Sequence, residues 1–266
     1  MNFRRTLFAA LLLLAPLASR AQIQESEMDY GFGARISAEA DKKLAKGLHL
    51  TLGGEVRSEE SFADPHRLQA DLGMSYKINK YFKVGGGYAL IEKKNSSGVW
   101  KMRHRVWGDA TFSLGSGDWR FSLKERLQLT HKSVNALKKQ STPNSLALKS
   151  RAKVAYKGLG IWEPYAYVEL RNVFNDPSCS AVWDDASETF DDYTFTGYND
   201  AYFNRYRGCI GTEISLARHH SLDVFLMTQY CREKETDTAG SGTILKSITY
   251  ERGLYTSIGV AYKFSF

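Results

Sequence analysis

The feature that most constrains this chain is a two-residue alternation of apolar and polar side chains, which recurs along most of its length. Between positions 119 and 129, for example, almost every second residue is Trp, Phe or Leu, and most residues between them are Arg, Ser, Lys or Gln. Because successive side chains of a strand point to opposite faces, each such segment has one apolar and one polar face. The segments last roughly ten residues, the length of a strand that crosses a bilayer obliquely. The sequence therefore predicts an all-β chain.

Short turns alternate with longer polar connections between these segments. The turns lie at 44–47, 78–80, 115–118, 157–160 and 217–220, and the connections lie near 60–66, 93–101, 132–144, 174–200 and 234–243. Short turns at one end and long loops at the other are typical of outer-membrane barrels. We therefore predict a transmembrane antiparallel up-and-down β-barrel. Eleven segments can be counted, but because bacterial barrels have even strand numbers we expect about 12 strands, with 10 as the alternative.

The polar faces are rich in Arg and Glu, which indicates an enclosed interior. The planar guanidinium group pairs with carboxylates better than a Lys ammonium does in a confined space. We expect a polar network in the lumen, whose predicted members are Glu55, Arg105, Arg126, Arg151, Glu169, Arg171, Arg207 and Glu213. Glu125 is an exception because it falls on the apolar face. Either a β-bulge turns it inward or it faces lipid.

Both ends of the chain carry targeting signals. Arg4 and Arg5 precede an apolar run at 7–17, and small residues follow at positions 19 and 21, as before a signal-peptidase cleavage site. We predict a signal peptide over residues 1–21 and a barrel domain over 22–266, located in the bacterial outer membrane. The last segment resembles the signature that barrels present to the barrel-assembly machinery during insertion, with aromatic residues at alternate positions: Tyr262, Phe264 and Phe266.

Several motifs occur together along the mature chain: a hairpin around residues 42–44, paired arginines, a basic run and a Pro-Tyr pair followed by Glu. The residues are Arg103 and Arg105, Arg205 and Arg207, residues 149–153, and Pro164, Tyr165 and Glu169. With these motifs the whole mature chain resembles a family of outer-membrane β-barrels known only as a domain of unknown function. The resemblance implies a barrel in contact with outer-membrane lipid. It implies no catalytic residues.

Basic residues outnumber acidic ones on the inward faces, so the lumen favours anions. One interpretation is a pore for small anionic solutes, whose selectivity is set by charged side chains. The alternative is that Arg and Glu fill a narrow barrel and keep it rigid. The net charge of +7 does not indicate a nucleic-acid partner, because a secreted protein rarely meets one.

A different hypothesis concerns His131 and Ser133. They lie two and four positions after Leu129, so they point to the same outer face of the strand. The spacing of His131 and Ser133 is similar to that of outer-membrane phospholipases and lipid A deacylases, where His activates Ser for attack on a lipid ester. Asn144 is the nearest candidate for the third member of such a site. The alternative is a histidine at the membrane boundary without a catalytic role.

The segment 175–200 combines carboxylates with large aromatic side chains. Its carboxylate spacing does not match the twelve-residue calcium loop, and a long loop of this kind is usually functional or disordered. We expect a loop that contacts other outer-membrane or surface proteins through Trp183, Asp184, Asp185, Phe190, Asp191, Asp192 and Tyr193.

Cys209 and Cys231 are nearly equidistant from the turn at 219–220, so a disulfide between them is one alternative and free thiols are the other. Cys179 would then stay unpaired. No Cys or His group has metal-ligand spacing, and we expect neither a metal nor a cofactor. Of three hypotheses we favour a non-enzymatic structural or accessory subunit of a larger outer-membrane assembly. The anion pore and the lipid acyl hydrolase are the alternatives.

Overall fold

The computed structural model describes residues 24–59, 62–95, 97–184, 189–240 and 242–266. The signal peptide predicted for residues 1–21 lies outside them. Eleven strands form a closed barrel. They are β1 (Gln24–Ala45), β2 (Leu48–Arg57), β3 (Arg67–Lys77), β4 (Phe82–Lys94), β5 (Trp100–Ser116), β6 (Trp119–Lys132), β7 (Asn144–Tyr156), β8 (Trp162–Asp184), β9 (Thr189–Ala217), β10 (His220–Ala239) and β11 (Ile244–Ser265).

The predicted barrel is confirmed, with an odd number of strands between the expected 10 and 12. Sequential neighbours pair antiparallel, but β1 and β11 pair in parallel, with Ala34 opposite Ile258 and Ala38 opposite Tyr262. The expectations of an even strand number and of wholly antiparallel pairing were therefore wrong. An eleventh strand runs in the same direction as the first, and the parallel ladder joins their edges. The closed ladder leaves neither edge unpaired.

The predicted short turns join the strands at one end, which we call the turn end, and the longer connections lie at the opposite loop end. At the turn end, Gly47 and Gly117 occupy left-handed conformations, with φ angles of 79° and 56°. Glycine adopts such angles without steric cost. Phe266 also lies at the turn end, where its amide donates to the carbonyl of Asp41. In the described part of the chain, no helix has the length and apolar character needed to cross a membrane.

The outer surface of the barrel is apolar and the interior is polar. On β6, Phe121 and Leu127 are each 50% exposed, whereas Gln128 is 2% exposed on the opposite face. Glu125 stays on the outward face, because β6 pairs with both neighbours without a register shift. The bulge alternative was therefore wrong. Ser150 Oγ donates a hydrogen bond to Glu125 Oε2 at 2.6 Å.

Two hairpins extend beyond the others at the loop end. The segments predicted as loops at 174–200 and 234–243 are largely strand, because β8 continues to Asp184, β9 begins at Thr189 and β10 continues to Ala239. Alternating aromatic and polar residues there pair across the β8–β9 hairpin, as Trp183 does with Phe190, although several register shifts interrupt the ladder. This corrects the expected 25-residue loop.

The two extended hairpins pack on each other and on the β6–β7 connection. Phe190 of β9 lies in an apolar cluster with Leu245 and Ile248 of β11. Near the tip of the β10–β11 hairpin, Thr238 Oγ1 donates to the carbonyl of Lys138 at 2.6 Å. Since three strands separate β10 from β6 around the barrel, this contact bridges part of the opening at the loop end.

Candidate functional site

The interior of the barrel contains a cavity of about 500 Å³ to which strands on all sides contribute. Its lining includes eleven basic and six acidic side chains, a formal excess of five basic groups. The basic residues are Arg35, Arg57, Lys83, Arg105, Lys124, Arg126, Lys149, Arg151, Lys153, Arg207 and Lys263, and the acidic residues are Glu39, Asp41, Glu55, Asp71, Asp109 and Asp223.

Glu169 lies outside this lining and is the centre of a hydrogen-bonded network whose arginines, Arg35, Arg151 and Arg207, line the cavity. It is 4% exposed, and its two oxygens accept hydrogen bonds from Arg207 Nη1 at 2.6 Å and Arg151 Nε at 2.8 Å. Arg207 Nη2 also donates to Gln229 Oε1 at 3.0 Å, and Arg35 Nη2 donates to the same oxygen at 3.3 Å. The network therefore connects β7 to β1 through four intervening strands. Gln229 was missed in the sequence because it carries no charge.

The other side of the cavity is organised by Asp109 on β5. It forms ion pairs with Lys124 Nζ at 2.9 Å and Arg126 Nη2 at 2.6 Å. The Arg126 guanidinium group lies over the ring of Trp107, 4.0 Å from the centroid. Asp109 could have been predicted from the sequence, because it lies four positions after Arg105 and therefore shares its inward face.

The remaining predicted network members occupy different levels of the barrel. Glu55 pairs with Arg57 on its own strand, and Arg105 Nε donates to Thr130 Oγ1 at 2.9 Å. Glu213 lies towards the turn end, where it lines a separate pocket. Arg171 lies opposite Lys149 and Arg205 on the neighbouring strands. The eight predicted residues thus line several levels of the interior and do not form one cluster.

His131 and Asn144 are the last residues paired between β6 and β7 at the loop end. His131 Nδ1 and Asn144 Oδ1 are 2.8 Å apart, and both residues are exposed. Ser133 lies just beyond the end of β6 and is also exposed. His104, opposite His131, makes a 2.5 Å contact between its Nδ1 and Tyr88 Oη. The register therefore brings two of the three proposed hydrolase residues into hydrogen-bonding contact.

Comparison with known families matches residues 32–239 to the family described as "Protein of unknown function (DUF2490)". The chain belongs to this family. The match covers most of the barrel, from β1 to the end of β10, and confirms the resemblance found in the sequence. Comparison with curated proteins gives no match.

The predicted contact residues of this DUF2490 member lie near the tip of the β8–β9 hairpin. Trp183 and Phe190 form an edge-to-face pair with centroids 4.9 Å apart, and both pack with Tyr193 against the β10–β11 hairpin. Asp191 and Asp192 are exposed. Asp184 ends β8, and Asp185 lies outside the described residues. Part of the predicted contact surface is therefore used in packing between the hairpins.

The disulfide alternative for Cys209 and Cys231 was wrong. All three cysteines are free thiols. Cys209 lies opposite Met227, and Cys231 lies opposite Arg205. The pairing of β9 and β10 is centred on Arg218, whereas a bridge between the two cysteines requires a centre at His220, so each cysteine lies four residues from the position opposite the other.

The C-terminal aromatic residues follow the expected alternation. Tyr262 and Phe266 are 38% and 61% exposed, and the rings of Phe264 and Phe266 lie 4.4 Å apart. Among the residues that the structure describes, no group of three or more His, Cys, Asp or Glu side chains could hold a metal ion.

Proposed function

We propose that this chain is an integral outer-membrane β-barrel that passes small anionic solutes through its lumen. The observation that carries the proposal is the lumen cavity of about 500 Å³, with eleven basic and six acidic side chains in its lining. A confined space with charge of one sign in excess concentrates counter-ions and rejects ions of its own sign. Charged side chains that line a pore set selectivity in this way.

The membrane location is supported by the distribution of side chains on the wall. Large apolar residues remain exposed on the outside, including Leu52, Val168 and Ile210, each 61% exposed. An apolar surface of this extent is unusual in a soluble monomer. A closed ladder with a polar interior satisfies the backbone hydrogen bonds that lipid cannot satisfy.

Selectivity in planar bilayers tests the pore. In a potassium chloride gradient, we expect a reversal potential close to that of chloride. Replacing Lys83 and Lys153 by Glu, two residues that line the cavity towards the turn end, should lower the chloride-to-potassium permeability ratio several-fold. The matched control is Lys46→Glu, at the exposed β1–β2 turn, which should leave the ratio unchanged. Cation selectivity, or no conductance, would contradict the pore.

The accessory-subunit hypothesis stays a prediction. Gentle detergent purification from native membranes tests it, since a stoichiometric companion protein would support it and a consistently lone monomer would oppose it.

A second candidate function, lipid acyl hydrolysis, is favoured by the 2.8 Å contact between His131 Nδ1 and Asn144 Oδ1. Because an amide oxygen only accepts hydrogen bonds, this contact favours the tautomer with its proton on Nδ1, in which Nε2 is the base. In the proposed reaction, Nε2 takes the Ser133 hydroxyl proton while Oγ attacks the ester carbonyl carbon. The imidazolium then protonates the departing alcohol, and water hydrolyses the acyl-serine.

Fatty-acid release from phospholipid vesicles tests this second candidate. We expect release to vanish in Ser133→Ala and His131→Ala, and to fall by about tenfold or more in Asn144→Ala, which removes the orienting contact. The matched control is His220→Ala. His220 also makes an imidazole contact on the outer face, with Tyr262 Oη at 2.5 Å, but at the turn end. Release that survives Ser133→Ala would eliminate the hydrolase.

A further inference from the structure

Inward-facing basic residues lie directly opposite one another on consecutive strands. Arg35 on β1 faces Arg57 on β2, which faces Arg67 on β3. Arg67 in turn faces Lys93 on β4, and Lys93 faces Lys101 on β5. Directly opposed like charges destabilise a sheet. This first basic row therefore requires compensation from elsewhere.

A second basic row crosses the next four strands. Arg126 on β6 faces Lys149 on β7, which faces Arg171 on β8, which faces Arg205 on β9. The two rows include residues that line the same cavity: Arg35 and Arg57 from the first, and Arg126 and Lys149 from the second. These four residues thus contribute like charges from different sides to one enclosed space, and the other members of the rows lie outside its lining.

The carboxylates of the chain compensate these rows incompletely. Glu55, Asp109 and Glu233 pair with Arg57, Arg126 and Arg205 respectively. Within the described ranges, no carboxylate forms an ion pair with Arg35, Arg67, Lys93, Lys149 or Arg171.

Several buried N–H groups of the arginines in this region also lack a hydrogen-bond acceptor. The Nε atoms of Arg67, Arg103, Arg205 and Arg207 are buried without a hydrogen-bond partner. Arg207 as a whole is only 8% exposed. Buried donors without a partner are rare in native proteins, because each loses its hydration without replacement.

We propose that the two basic rows bind a multivalent phosphate group in the lumen. Phosphate oxygens accept several hydrogen bonds in the planar geometry that guanidinium groups offer, and two or more negative charges would offset the repulsion between opposed cations. A single small anion such as acetate offsets less charge and occupies fewer donors. This inference rests on the proposed anion-passing lumen and names the class of solute.

The test uses the intact barrel in detergent micelles, with thermal unfolding as the readout. Inorganic pyrophosphate should raise the melting temperature by several degrees, and acetate at equal ionic strength should not. Glycerol phosphate in place of pyrophosphate tests whether an organic phosphate ester binds as well. An equal shift with acetate would overturn the proposal.

Two variants separate binding from a structural role. Lys149→Gln removes a cation that lines the cavity and lies between Arg126 and Arg171, so it should raise the melting temperature without ligand and weaken pyrophosphate binding, measured by calorimetry, at least tenfold. The matched control is Arg151→Gln, which breaks an ion pair with Glu169 and should lower the melting temperature. If Lys149→Gln also lowers the melting temperature and leaves pyrophosphate affinity unchanged, the basic rows have only a structural role.

Conductance of the same preparation distinguishes this inference from the proposed pore. Pyrophosphate binding without conductance would refute the pore and support the phosphate site. Anion-selective conductance without pyrophosphate binding would refute the phosphate site and leave the pore intact.

Discussion

Glu125 on β6 accepts a hydrogen bond from Ser150 on β7, with 2.6 Å between Ser150 Oγ and Glu125 Oε2, on the apolar outer face of the barrel. The neighbours of Glu125 on this face, Leu123 and Leu127, are 48% and 50% exposed. A carboxylate that faces hydrocarbon is costly unless it is protonated or hydrogen-bonded. The serine hydroxyl supplies one such bond.

Replacing Glu125 by Leu should stabilise the barrel in lipid, because it removes a polar group from the apolar wall. We expect the free energy of unfolding to rise by roughly 1–2 kcal/mol, and Ser150→Ala alone to lower it by about 1 kcal/mol. Urea unfolding in vesicles, followed by tryptophan fluorescence, measures both changes. Destabilisation by Glu125→Leu would mean that this face meets a polar environment.

Phe225 lies between two glycines on neighbouring strands, opposite Gly211 on one side and Gly259 on the other. A Cβ added at Gly259 would overlap the Phe225 ring. Gly259→Ala should therefore cost about 1–3 kcal/mol of stability. Gly208→Ala is the control: nothing lies near its added Cβ, so its effect should stay within about 0.5 kcal/mol. Phe225→Leu in the Gly259→Ala background should recover part of the loss.

The β10–β11 hairpin should loosen as the pH rises. The pKa of Glu251 is raised to about 7 from its usual 4.5. The causes are a hydrogen bond shared with Glu235, burial, and the negative charges of Glu235, Glu233 and Asp29. Glu251 lies beyond the apolar band, because Arg232 and Arg252 occupy the outward face at its level and both pair with Glu25.

Because the folded hairpin holds this proton more tightly than the unfolded chain, the stabilisation is complete below about pH 4.5 and is lost as the pH rises through 7. Amide hydrogen exchange in β10 and β11, corrected for intrinsic rates, should show less protection at pH 8 than at pH 5. Glu251→Gln should remove most of this difference. Protection that is equal at both pH values in the unmodified protein would contradict the shared proton.

All three cysteines should react with a thiol reagent after denaturation without reductant. The register places Cys209 opposite Met227 and Cys231 opposite Arg205, so a bridge between the two cysteines would require rearranged pairing. We expect three thiols per chain in protein purified without reductant. A value of one would show that a disulfide forms, and a bridge mapped to Cys209 and Cys231 would show that β9 and β10 pair in a different register.

The barrel and its five short turns could be predicted from the sequence because alternation and turn residues are local signals. The parallel ladder between β1 and β11 could not, since it joins segments at opposite ends of the chain. The strand extensions at 174–200 were also missed, because the many acidic residues of this stretch indicated a loop, although aromatic and polar residues alternate along part of it.

The site could be predicted residue by residue but not as an arrangement. The alternation of side-chain directions along each strand was enough to indicate that Arg126, Arg171 and Arg205 face inward. Their direct opposition through Lys149 depends on the register between strands, which a single sequence does not specify. The same holds for the contact of His131 with Asn144 and for the separation of Cys209 from Cys231.

The central claim is that the apolar faces of the strands contact hydrocarbon while the basic faces enclose a lumen. Spin labels placed one at a time along β6 of a cysteine-free barrel in lipid vesicles test it most directly, through collision with oxygen and with a water-soluble nickel complex. Labels at 121, 123, 127 and 129 should meet oxygen, and labels at 122, 124, 126 and 128 should not. Loss of this alternation, or a barrel that remains monomeric in water without detergent, would contradict the account.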